Sequence, residues 1–100
     1  MTQTDDLITR KKLNLETSRM PWQELQRFFA KGDAIFVSSD LDLVDVAYQF
    51  SQDNKTQVNT WMINHKIGKV TESQAQQWIN KDSLVWAVVI KPWVLVQDKN

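Results

Sequence analysis

The run Leu84-Val85-Trp86-Ala87-Val88-Val89-Ile90-Lys91-Pro92-Trp93-Val94-Leu95-Val96 decides the architecture. Leu84 to Ile90 is rich in β-branched residues and has no polar alternation. Such a segment is a strand that expects cover on both faces. Pro92 has no N–H to give to a ladder, so the second piece, Trp93 to Val96, is a hairpin partner or a bulged continuation. One unbroken strand of that length would overshoot a domain of this size, which favours a break. A second short apolar run, Ala34-Ile35-Phe36-Val37, reads as another buried strand.

The rest of the chain carries helical spacing. Residues 5–18 read as a first helix, with Asp5 and Asp6 near its positive end. Pro21 suits the first turn of a second helix, which carries Trp22, Leu25, Phe28 and Phe29 and stops at Gly32. Ser39 or Asp40 would cap a third helix, with Leu43, Val46, Ala47 and Phe50 on its inner face, ending near Asp53. Asn54 and Gln57 suggest a capping box for a fourth. Its inner face would hold Val58, Trp61, Met62 and His65, and Gly68 is the expected stop. Thr71 and Gln74 open a fifth helix through Ala75, Trp78 and Ile79. The expected order is α-α-β-α-α-α-β-β. The expected fold is α+β, about five helices on a two- or three-stranded sheet.

Length and composition point the same way. The 100 residues suit one domain over 1–100, with residues 1–4 expected as a disordered tail, and 42% are apolar. Lys and Arg total twelve, as do Asp and Glu, so no net field favours a polyanion. The chain has no Cys, which removes disulfide, thiolate and zinc–thiolate chemistry. Two glycines, Gly32 and Gly68, cannot write a phosphate loop or a dinucleotide fingerprint. Ser38-Ser39 lacks the glycines of a nucleophile elbow. His65, alone, reads as structural. Met1 to Lys12 has no apolar leader, and the C-terminal run falls short of the roughly 20 apolar residues of a membrane helix. The expected location is the cytoplasm.

Three functional readings follow. The leading one is a non-enzymatic module that binds a protein partner or itself, with no cofactor. Trp86, Pro92 and Trp93 are its interaction candidates, because an aromatic beside a strand edge suits an interface. The second is a helix-turn-helix over residues 43–66, in which Lys55, Gln57 and Asn59 would read a major groove. Zero net charge and the lack of any Arg after Arg27 oppose it. The third is a divalent-metal site at Asp40, Asp42 and Asp45 within the acidic stretch 33–53. Caps and first-turn acids explain the same residues without a metal.

Several motifs also occur together. Pro21-Trp22-x-x-Leu25, Leu41-Asp42-Leu43-Val44-Asp45-Val46-Ala47, Val58-x-x-Trp61, Gln74-Ala75-x-x-Trp78 and the ending Pro92-Trp93-Val94-Leu95-Val96-Gln97 span nearly the whole chain. In these the chain resembles the small bacterial proteins grouped as domain-of-unknown-function family 2288. The resemblance implies a short, stand-alone, cytoplasmic bacterial protein. It supplies no activity, cofactor or catalytic residue.

Overall fold

The computed structural model describes residues 9–99. The elements are α1 (Arg10–Glu16), β1 (Ser18–Pro21), a 3-10 turn (Trp22–Leu25) running into α2 (Gln26–Lys31), β2 (Ala34–Val37), α3 (Leu43–Ser51), α4 (Lys55–Ile63), β3 (Ile67–Lys69), α5 (Glu72–Asn80), β4 (Leu84–Ile90) and β5 (Trp93–Gln97). The fold is α+β with five helices, as expected, but the sheet has five strands in the order β1-β4-β5-β2-β3. Only β2 and β5 run parallel.

The expectation of two or three strands is therefore an undercount. The missed strands are β1 and β3, the two edges. They have four and three residues, too few for a period of two to show. The break at Lys91-Pro92 is a hairpin. Ile90 faces Trp93, Trp86 faces Gln97, and the Lys91–Pro92 peptide is cis. The strands at 34–37 and 84–90 do not touch; β5 lies between them.

Helix starts mostly follow side-chain caps. Thr9 Oγ1 accepts from Lys12 N–H at 3.1 Å, so α1 begins at Arg10; the Asp5 and Asp6 expectation and the tail at 1–4 lie outside the described residues. Pro21 does not enter a helical turn. It closes β1 and precedes the 3-10 turn. Asp42, and neither Ser39 nor Asp40, caps α3 by accepting from Val44 N–H at 3.0 Å. Asn54 caps α4 without the reciprocal bond of a box, since its N–H goes to Gln49 O. Thr71 and Gln74 form the full box expected of them.

Helix ends share one device. Gly32, Asp53, His65 and Asp82 each follow a helix with φ of 81°, 54°, 59° and 51°. In each, this residue and the next donate back across the last turn, as in Lys66 N–H to Trp61 O at 2.8 Å and Ser83 N–H to Trp78 O at 2.9 Å. This is the Schellman closure. The expectation that Gly68 stops α4 fails, because His65 stops it and Gly68 lies inside β3.

The sheet is covered on both faces. One face buries Leu13, Ile35, Val37, Val46, Ala47, Val88 and Leu95 under α1 and α3, with α4 at its margin. The other buries Trp22, Ala34, Ala75, Trp78, Val85, Val94 and Val96 beneath α2 and α5. Trp22 and Trp78 meet edge to face, ring centroids 4.9 Å apart. β4 is less covered than expected: Leu84, Trp86 and Val89 are exposed.

Candidate functional site

A groove of about 750 Å³ opens at the margin where α4 stands off β3. Its position follows from the helix ends. Asp53 turns the chain sharply after α3, so Phe50 stops at one end of the groove. On α4, Val58 and Trp61 turn into the apolar cluster that holds Ile67. That anchorage leaves Lys55, Asn59 and Met62, at spacings of four and three, on the groove wall. The left-handed turn at His65 then sends β3 back along the open side. Ile35, Ile67 and the half-buried Trp93 form an apolar floor. Asp53, Lys55, Asn59, Thr60 and Lys69 give a polar rim.

Of the interaction candidates, Trp93 alone lines this groove. Pro92 is exposed in the hairpin turn. Trp86 lies on the same sheet face as Trp93 but at the other end of the hairpin, opposite Gln97. The Arg19 guanidinium stands 6.0 Å from its ring centroid. The three do not make one surface.

The acidic candidates disperse as well. Asp40 accepts from Lys66 Nζ at 2.5 Å and from Ser38 Oγ. The Lys66 bond is the main reason its carboxyl lies below the ordinary value, with the Ser38 bond second. Asp42 is committed to the α3 cap. Asp45 binds Arg10 at 2.8 Å, and that guanidinium also lies 4.3 Å from the Tyr48 ring centroid. Among the described residues no three His, Asp or Glu side chains gather as a metal site would require. On α4, Gln57 is half-buried and turned about 200° from Lys55, so Lys55, Gln57 and Asn59 do not share one ridge. His65 is exposed and acts through its backbone, and Met62, half-exposed, serves the groove instead of the core.

A second polar concentration lies where the parallel strands β2 and β5 end. Gln97, 4% exposed, donates through Nε2 to Ser38 O at 2.9 Å and Leu41 O at 2.8 Å. It ties down the loop before α3, which Asp40 and Lys66 clamp from outside. Its bonds are spent on the loop's own backbone, so it reads as a brace.

The profile of the family described as "Protein of unknown function (DUF2288)" matches residues 8–98. The chain belongs to this family. The NMR solution structure of PA1075 from Pseudomonas aeruginosa is similar, with 37% identity, a TM-score of 0.80, and coverage of 98% of this chain and 92% of that one. No curated protein matches the chain. In this DUF2288 chain no helix of the described residues is long and apolar enough to cross a membrane.

The sequence reading places Ile35 in a buried strand and Met62 on an inner helix face, and does not name the groove residues Ile67 and Lys69. The family motifs bracket them at Val58-x-x-Trp61 and Pro92-Trp93. The available signal was local: polar Asn64-His65 after a helical stripe, then the branched Ile67.

Proposed function

We propose that the protein is a non-enzymatic, cytoplasmic binding module that holds a segment of a partner protein in the groove between α4 and β3. The observation that carries this reading is Trp93, half-buried on an apolar floor inside a groove of about 750 Å³. A pocket with apolar walls and a few polar rim groups is the usual form of a binding site, and Trp is among the side chains enriched at the centre of protein interfaces. The groove's own titratable groups, Asp53, Lys55 and Lys69, stand on its rim and frame no nucleophile or acid–base pair, which supports binding over catalysis. The absence of Cys fits the cytoplasm.

Selection from a random heptapeptide display library tests the proposal, with nitrogen-15 NMR mapping of the winners. Enriched peptides should shift the Trp93 indole and the amides of Met62 and Ile67, and Asn59→Trp, which fills the groove from an exposed position, should abolish those shifts. No enrichment, or shifts confined to Trp86 and Arg19, would overturn it.

A further inference from the structure

We infer that the groove is filled by strand addition: an extended segment of a partner protein, bearing an apolar residue with carboxylates two positions before and after it on the same face, pairs with the open edge of β3 and lowers that apolar side chain between Met62 and Trp93. This rests on the groove being the binding site, and adds how the segment is held and what chemistry it carries.

The edge argument comes from the ladder. Ser38 N–H donates to Lys66 O at 2.7 Å and Val70 N–H to Ala34 O at 3.0 Å. With the register Ile35 opposite Lys69 and Val37 opposite Ile67, residues 66, 68 and 70 turn their backbone groups toward β2. Alternation along an antiparallel ladder then turns the N–H and C=O of Ile67 and Lys69 outward. Among the described residues these groups have no backbone partner outside the sheet. They offer two donors and two acceptors at the spacing of an added strand.

The opposite edge does not. Trp22 N–H donates to Ser83 O at 3.0 Å, which continues the register Met20 opposite Val85 and Ser18 opposite Ala87. Alternation there leaves Arg19 and Pro21 facing outward, and Pro21 has no N–H. The β1 edge thus offers one outward donor against two at β3, and the β3 edge is the one that borders the groove, since Ile67 and Lys69 line it.

Charge selects the occupant. Lys55 and Lys69 stand on the rim against Asp53, and Lys55 reaches Asp53 only at 3.9 Å with both side chains well exposed. Lys69 has no ion pair among the described residues. The segment Lys66-Ile67-Gly68-Lys69 contains no acid. Pairing β3 with β3 of a second copy would place the two Lys69 side chains on one face, diagonally across the new ladder, with nothing to neutralise them. A lysine on an edge strand deters indiscriminate pairing. A carboxylate-bearing segment removes that deterrent, so the same residue becomes a means of selection.

The test uses four synthetic heptapeptides, acetylated and amidated: Ser-Glu-Ser-Val-Ser-Glu-Ser (the Glu–Val peptide), the same with Lys for Glu, and the Glu–Val peptide N-methylated on alternate amides in each of the two possible phases. The Glu–Val peptide should bind in the groove, slow hydrogen exchange at the Ile67 and Lys69 amides, and weaken with added salt. The Lys analogue should lose about tenfold or more in affinity through repulsion from Lys55 and Lys69, and the N-methyl peptide whose methyls fall on the β3-facing amides and the Lys69→Pro variant should each lose about tenfold or more, the scale of one or two backbone hydrogen bonds. The N-methyl arm leaves the protein untouched, so it stands even if Lys69→Pro disturbs β3. Peptides that shift Met62 and Trp93 without protecting Lys69, or equal binding of all four peptides, would sink strand addition and leave the groove reading intact. No shift at the groove with any peptide would sink both. Dimerisation through β3, seen by light scattering with Lys69 protected in the free protein, would overturn the choice of occupant.

Discussion

Asp40 shows how one side chain can look like chemistry and serve as a clasp. It is an exposed acid beside Asp42 and Asp45, which invites a metal. In the fold it bridges Ser38 and Lys66, joining the loop before α3 to the residue just before β3. Lys66 is 26 residues away, and nothing in the local sequence announces that it returns, because the three-residue strand that brings it back carries no period. Gln97 is the same case over 59 residues. The ordinary carboxyl value of 3.8 is lowered in the folded state. A lowered value means that the clasp adds stability above 3.8, and that this is lost as pH falls through the folded value. Asp40→Asn should therefore unfold at lower urea than the parent at pH 7. The gap should close in acid and shrink in high salt, since both partners are well exposed. A gap that persists unchanged at pH 2 would refute the clasp.

Helices were legible because apolar residues recur over two or more turns. Val46-Ala47 with Leu43 and Phe50, or Ala75 with Trp78 and Ile79, cannot be read as strands. The central strands were legible because Val, Ile and Leu fill both of their faces. The edges were not, and neither were the helix stops. Two glycines suggested two stops, yet four helices end in left-handed residues, three of them Asp or His. Asp tolerates this conformation by local hydrogen bonding; His65 has less to gain from it. His65→Gly should raise unfolding stability by up to about 1 kcal/mol, the strain relief offset in part by a looser unfolded chain. Gly32→Ala should lower it by about 1 kcal/mol or more. Urea unfolding at neutral pH reads both. A loss with His65→Gly would mean that its side chain holds something the backbone argument omits.

Across the whole molecule, the sheet is one wall between two apolar layers, so the layers should melt together. Leu95, fully buried, faces α3; Val94, its neighbour, faces the Trp22 and Trp78 layer. Leu95→Ala should cost about 2–5 kcal/mol. It should shift tryptophan fluorescence and far-ultraviolet dichroism by the same amount, although the buried pair Trp22 and Trp78 lies on the other face. Two separate transitions would show that the layers are independent. The fold class was legible at this scale, because five helices and a central β-rich run leave few arrangements. The place of the groove was not, since it depends on where β3 returns.

The two sheet margins have a consequence for assembly. Strand-to-strand growth into a fibre needs two sticky sides on every subunit, and Pro21 blunts one of them. Only the β3 margin offers two outward donors; at β1 the Arg19 N–H is left alone beside Pro21. A β-sheet protein built this way can keep a receptive edge without becoming a seed for its own polymer.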